Sequence, residues 1–440
     1  MSQPTIILGA GLIGVSTAYY LSSPSSNSSA QPGQNIHLID PSPTLFTSAS
    51  GFAAGFLSRS WFSAPLRALG ELSFDLHTEL AQKEGGREKW GWSKAGSVSF
   101  VEDENAEEGK ERPEDWLMSD DWLVAGVSRA EAAKSELGWK KKDGPEWLRK
   151  ARGKEVRVLS GEGGPSETAD PLRFSNFLLS QCLSRGVYLH TSTDPLSVSH
   201  NSSGQICSIR IRSANGVETD LPCSRLVIAS GAWTPQVFST LFPSSDLKLS
   251  VTSLAGHSLL MRSSAWKRPL EGEETAAVFS TDPTGYFPEM FARVDGTIYL
   301  AGLNSSTLPL PAAGQGKAQS HPKSINQLKA TAEYLYGLSF VSNEVEVVRE
   351  ALCFRPVTPK GVPIIARIPD SRLGGGVRNE EDGGKGSFGG AFVAAGHGPW
   401  GISLSLGTGK VLSQMLEGKK VCVDIRGLGL QEANERRAKL

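Results

Sequence analysis

The first chemistry legible in this 440-residue chain is carried by glycines and one acid. Gly9-Ala10-Gly11-Leu12-Ile13-Gly14 has G-x-G-x-x-G spacing, and Asp40 follows one element later. In such a turn Gly9 bends the chain, Gly11 lets backbone approach a pyrophosphate, and Gly14 lets helix and strand pack closely. Leu12 and Ile13 lie within the turn, and the helix that follows presents unpaired N–H groups and partial positive charge to phosphate. Asp40 is placed to accept hydrogen bonds from ribose hydroxyls. It lies further from Gly14 than the ~20 residues usual for the motif, because a Ser-rich loop intervenes. The set predicts a dinucleotide site but does not choose between NAD and FAD. The sequence has no metal-ligand spacing, no G-x-S-x-G elbow and no P-loop. Cys182, Cys207, Cys223, Cys353 and Cys422 are scattered and odd in number, which fits a reducing compartment.

The elements that must position these groups read strand, turn, helix, strand. Thr5 to Leu8 is a short apolar run, Val15 to Leu21 is helical, and Ile36 to Ile39 is a second strand. Residues 22–34 read as a solvated Ser/Pro-rich loop, and 370–390 as a Gly- and charge-rich one. The stretch from about 60 to 155 is charged and rich in tryptophan (Trp61, Trp90, Trp92, Trp116, Trp122, Trp139, Trp147), read as packing residues in an inserted α+β segment. Asp170 to Gly186 reads as a helix, and Asp295-Gly296 as a hairpin turn inside a second, strand-rich insertion.

Net charge is −1, from 45 basic and 46 acidic residues, so no broad field attracts nucleic acid or anionic membrane. No run of eighteen apolar residues predicts a membrane span. A strand at Thr5 leaves no room for a leader, and the closing Ala438-Lys439-Leu440 resembles the Ser-Lys-Leu address read by the peroxisomal import receptor. Peroxisomal localisation is therefore expected, or cytoplasmic if that signal is not used.

Four stretches carry a family resemblance. They are Ser48-Ala49-Ser50-Gly51-Phe52-Ala53-Ala54-Gly55; Val227-Ile228-Ala229-Ser230-Gly231-Ala232-Trp233; Cys353-Phe354-Arg355-Pro356-Val357-Thr358-Pro359; and Ala394-Ala395-Gly396-His397-Gly398-Pro399-Trp400-Gly401-Ile402. Together with the fingerprint they resemble the D-amino-acid oxidase superfamily, which includes glycine oxidase, sarcosine oxidase and the fungal fructosyl-amino-acid oxidases. The resemblance implies FAD rather than NAD. It implies an α/β Rossmann-type FAD-binding domain (1–60, 155–240 and 345–440) interrupted by an α+β substrate domain with a mixed or antiparallel sheet (61–154 and 241–344). Ser48, Gly55, Gly231, Gly398, Trp400, Gly401 and Ile402 would lie against the cofactor.

The same resemblance assigns roles. Arg355 matches an arginine that pairs with a substrate carboxylate, for which a guanidinium fork is well shaped. Cys353 matches a cysteine bonded to the flavin in the sarcosine and fructosyl-amine branches and a glycine in the others, so covalent and non-covalent FAD are both open. His397 matches an active-site histidine, with a structural role as the alternative. Trp400 replaces a lysine of the sarcosine branch, and Pro399 an arginine of glycine oxidase. The strand Thr297 to Gly302 lacks the lysine that sarcosine oxidases use toward oxygen. Tyr286 and Phe291 would wall the pocket or pack in the core. The implied activity is oxidation of a small amino acid or secondary amine, with hydride passing to FAD and oxygen reduced to hydrogen peroxide. A dehydrogenase of the same fold and a non-catalytic FAD-fold trafficking or regulatory protein are the alternatives.

Overall fold

The computed structural model describes residues 4–24, 33–101, 140–141, 145–148, 155–158, 165–280, 286–379 and 389–430. Trp116, Trp122, Trp139 and the Ala438-Lys439-Leu440 tripeptide lie outside the described residues.

Thr5–Leu8 is buried at every position, as a strand must be when helices cover both faces of its sheet. It pairs in parallel with Ile36–Ile39 on one side and Arg225–Ile228 on the other. The complete sheet has six strands in the order Ile364–Arg367, Gly390–Ala395, Arg225–Ile228, Thr5–Leu8, Ile36–Ile39, Tyr188–His190. Only Ile364–Arg367 runs antiparallel to its neighbour. The chain moves outward from Thr5–Leu8 in one direction and later returns to the other side. That reversal leaves a crevice at the carboxyl ends of the strands, where ligands bind in sheets of this kind.

Helix Leu12–Leu21 packs against Ser405–Leu416, and Gly409 makes the approach: a Cβ there would lie 2.5 Å from backbone of Ser16. Helix Pro171–Ser184 is capped by Asp170, whose Oδ1 accepts from Leu172 and Arg173 N–H. A three-stranded antiparallel meander (Thr193–His200, Ile206–Ser213, Glu218–Pro222) joins the outer strand to the return strand.

The second sheet is mixed. Its main path runs Glu346–Val357, Thr252–Arg262, Thr297–Ser305, Glu289–Ala292, Thr275–Ser280, Ser93–Val101, Glu155–Val158, Lys140–Lys141. Thr275–Ser280 pairs in parallel with Ser93–Val101, and the other pairs are antiparallel. Helix Pro322–Tyr336 covers it, with Ile325, Leu328, Ala332 and Leu335 buried beneath. The fold is thus a Rossmann-type α/β unit interrupted by an α+β unit with a mixed sheet.

Several boundaries differ from the sequence expectation. Glu346–Val357, assigned from sequence to the nucleotide-binding part, is an edge strand of the larger sheet, in register with Thr252–Arg262 over almost its whole length. Glu155–Val158 and Ser166–Thr168 likewise pair with Ser93–Val101. Strand patterning shows that a strand exists and not which partner it takes. The 370–390 stretch is packed where it is described: buried Asn379 donates to Ile368 C=O and accepts from Ala391 N–H. At the other expected loop, Ser22 is buried and Gly33 packs against Arg185 C=O.

Candidate active site

A cavity of about 490 Å³ opens in the crevice. Its wall begins where three parallel strands end, at Leu8-Gly9, Ile39-Asp40 and Ala229-Ser230. Gly9 has φ +100°, and a Cβ there would lie 2.5 Å from Ala229 O, so the turn accepts only glycine. A Cβ on Gly14 would lie 2.0 Å from Gly9 O. Gly14 therefore holds helix to turn and does not itself line the cavity.

Gly11, Leu12 and Ile13 line it. The helix begins at Leu12 with no capping side chain and no acid in its first turn. Leu12 N–H donates to Ser50 Oγ at 2.9 Å, a contact from the small-residue loop that spacing alone did not single out. The Asp40 carboxylate accepts from Ala10 N–H and Ser42 N–H, both at 2.9 Å. It braces the glycine turn while lining the cavity. This cradle of bare backbone, a helix start without a negative cap, and an acid on the next strand fits a dinucleotide: phosphates at Gly11 to Ile13, ribose hydroxyls at Asp40.

The opposite wall comes from the larger sheet. Cys353, Phe354, Arg355 and Pro356 line the cavity, as do Ser48, Ala49, Ser50 and Ala53 packed beside them. Arg355 and Cys353 share one face of their strand by its period of two. The Arg355 guanidinium rests over Gly256 of the neighbouring strand, where a Cβ would come within 2.9 Å of Nη1. Arg355 Nη1 donates to Asn304 Oδ1. Among the described residues no carboxylate pairs with Arg355. Gly256 and Asn304 were invisible to sequence reasoning, since neither belongs to a motif.

Burial pushes the Cys353 thiol up, while Arg355 and Arg349 nearby act to lower it. His397, 3% exposed, shares a 3.1 Å hydrogen bond with Thr408 Oγ1. Burial pushes its imidazole down to about 3, so the ring is neutral throughout the physiological range. His397, Gly398, Pro399, Gly401 and Ile402 line the cavity from a 3₁₀ turn, Gly398–Trp400. Helix Ser405–Leu416 starts beyond that turn and lies behind it. Gly231 also lines the cavity.

Two residues expected against the cofactor do not line the cavity. Gly55 has φ +86°, and a Cβ there would sit 1.8 Å from Ala169 O, so it serves a tight chain crossing. Trp400 turns into the core, its ring 4.9 Å from that of Phe62. Tyr286 and Phe291 are core residues: Tyr286 Oη donates to Thr331, and Phe291 packs among Phe56, Phe279 and Tyr299.

The segment Pro311–Gly316, from the second insertion, also lines the cavity. Trp233 Nε1 donates to Pro311 C=O at 2.8 Å, and Gly314 lies against the backbone of Pro41. The larger unit therefore reaches over the end of the cavity beside Asp40.

No helix among the described residues is long and apolar enough to cross a membrane, and no group of three or more metal-ligating side chains gathers there. A Schizosaccharomyces pombe protein named as an oxidoreductase is 28% identical over 436 residues, covering 94% of this chain and 94% of its own. D-amino acid dehydrogenase of Neisseria meningitidis is 22% identical over 458 residues, with coverage of 94% and 96%. The crystal structure of glycine oxidase from Geobacillus kaustophilus shares the fold with a TM-score of 0.68 at 20% identity, covering 97% of this chain and 98% of that one. The family model described as FAD dependent oxidoreductase matches residues 5–415, and the chain belongs to that D-amino-acid-oxidase-type (DAO) family.

Proposed function

We propose that this protein oxidises the carbon–nitrogen bond of a small amino acid or secondary amine, using FAD held in the cavity and oxygen as the final acceptor. Bound FAD supplies a two-electron acceptor for the hydrogen on the carbon bearing nitrogen. The observation that carries the reading is Arg355: a cation on the cavity wall with no carboxylate partner among the described residues, steadied by Asn304. Its fork holds a substrate carboxylate in place and orientation, and positioning of that kind supplies much of the catalysis. Gly11, Leu12, Ile13, Asp40, Ser48, Gly231, Gly398, Gly401 and Ile402 are the proposed cofactor contacts, with Gly9 and Gly14 shaping the turn. His397 acts as a neutral hydrogen-bonding group that positions the 398–401 turn, because its burial opposes a charged form.

Cys353 is the proposed point of covalent attachment, since it lines the cavity at the position that the resemblance equates with the attached cysteine. Flavin colour that stays with acid-precipitated protein supports this, and colour released to the supernatant rejects it. Hydrogen peroxide as product would suit the peroxisomal address read in Ala438-Lys439-Leu440.

The test of the main reading is anaerobic reduction of the purified flavoprotein by a panel of amino acids and secondary amines. Arg355→Met should keep its flavin and lose reduction by every carboxylate-bearing substrate. A variant that retains full reduction would remove Arg355 as the carboxylate anchor, and an unmodified protein that no member of the panel reduces would favour a non-catalytic FAD-fold protein. The dehydrogenase reading keeps one specific support, the absence of lysine from Thr297–Ser305. Fast reoxidation by an artificial acceptor with none by oxygen would establish it.

A further inference from the structure

The strand that carries Arg355 carries a second arginine whose charge the reading above leaves unused. Arg349, Ala351, Cys353 and Arg355 alternate onto one face of Glu346–Val357. The Arg349 guanidinium lies 4.7 Å from the centre of the Phe52 ring, and its Nη2 is buried with no hydrogen-bond partner. Phe52 in turn packs on Ala351, Cys353 and Ala49. Ala49 and Cys353 line the cavity, so Arg349 stands immediately behind that wall.

The surroundings of Arg349 are cationic. Lys317 Nζ, on the continuation of the segment that reaches over the cavity, lies 5.7 Å from the same ring. Arg293 is 4% exposed and sits over the Tyr299 ring, with Nη1 on Asp170 at 2.7 Å and both Nε and Nη2 buried without partners. Asp170, the carboxylate that pairs with Arg293, is shared with the helix cap at Leu172 and Arg173. Buried guanidinium donors left unpaired are costly, and a carboxylate is the ligand that satisfies them.

We propose that Arg349, with Lys317 against the same Phe52 ring, forms a second anion-recognising subsite, and that the substrate is an amine bearing two carboxylates. This rests on the amine-oxidation reading and on Arg355 as the first carboxylate anchor. Arg349 and Arg355 are about 20 Å apart along the strand between Cα atoms, at ~3.3 Å per residue. That separation calls for a second carboxylate on an extended arm, with the Phe52 ring moving aside to admit it.

The experiment uses the purified flavoprotein and reads perturbation of the bound flavin spectrum by two ligand series. Succinate, adipate and suberate are compared with butyrate, hexanoate and octanoate. Suberate is expected to bind about 10-fold or more tighter than octanoate, the gain of one charge-assisted contact. The advantage should grow from succinate to suberate. Arg349→Met should bring suberate down to the octanoate level, and Arg349→Lys should restore part of the difference. Flavin content and melting temperature of both variants identify a folding defect, in which case Lys317→Met carries the same comparison. Equal binding of suberate and octanoate by the unmodified protein overturns the inference while leaving Arg355 intact. So does an Arg349→Met loss that is the same for both series. Failure of the parent reading looks different: neither series perturbs the flavin, and Arg355→Met changes nothing.

Discussion

The two walls of the cavity are built from different materials. At the carboxyl ends of the parallel strands the wall is mainly backbone: Gly9, Gly11, a helix start with no acid in its first turn, and Asp40 tied down by two N–H groups. On the larger sheet it is side chains: Arg355 on Asn304, buried Cys353, and Phe52 with Arg349 behind it. A backbone wall is specific for shape and tolerates almost no added atoms. A side-chain wall is specific for charge and can change its ligand by a single substitution without disturbing the fold. The difference predicts that substitutions on the opposing strand face change ligand preference while the cradle, fixed by sterics, keeps its shape.

The largest expected effect is therefore on the backbone wall. Gly9→Val places a side chain into Ala229 and imposes it at φ +100°. It should cost about 3 kcal/mol or more and abolish flavin retention, read by visible absorbance and thermal melting. Next is Arg355→Met, which should leave melting and flavin content nearly unchanged. It should weaken carboxylate ligands by 2–3 kcal/mol, roughly 30- to 150-fold, in spectral titrations. If both substitutions released flavin equally, the division between the walls would fail.

A third effect lies outside both walls. Glu167 is 2% exposed and accepts hydrogen bonds from Trp92 Nε1 and Thr78 Oγ1. Burial is the main cause that pushes its carboxyl up to about 7, from 4.5. The folded state thus holds the proton more tightly than the unfolded chain. Its stabilising contribution is fully present below about pH 4.5 and is lost as pH rises through about 7. The loss is on the order of 3 kcal/mol. Chemical denaturation from pH 4.5 to 8 should show that decline, and Glu167→Gln should flatten it. The smallest effect is at the strap: Trp233→Phe removes one hydrogen bond to Pro311. It should cost about 1 kcal/mol, seen as flavin dissociation several-fold faster.

The cradle was legible in the sequence because it is local. Gly9 to Gly14 and Asp40 sit in two consecutive elements, and the Gly14 contact with Gly9 is internal to that unit, while the contact of Gly9 with Ala229 is long-range. The chemical wall was legible in part. Arg355 and Cys353 were found through resemblance, but Gly256, Asn304 and Phe52 come from other strands and a short helix, and no spacing ties them to Arg355. Trp400 and Gly55 do not line the cavity, for a related reason. Each stands beside cavity residues in the sequence, and only packing against Phe62 and Ala169 reveals which way it turns. The strand Glu346–Val357 was recognised as a strand, yet its partner, Thr252–Arg262, is set by long-range register. The strap 311–316 gave no signal, since a segment of Pro, Ala and Gly reads as loop wherever it folds.

The measurement that bears most directly on this account is the visible spectrum of the purified protein, taken beside that of Gly9→Val. Flavin bands near one equivalent per chain in the unmodified protein, absent from a folded Gly9→Val variant, are the predicted result. A colourless protein that FAD fails to reconstitute, or a Gly9→Val variant that keeps its flavin, would contradict it.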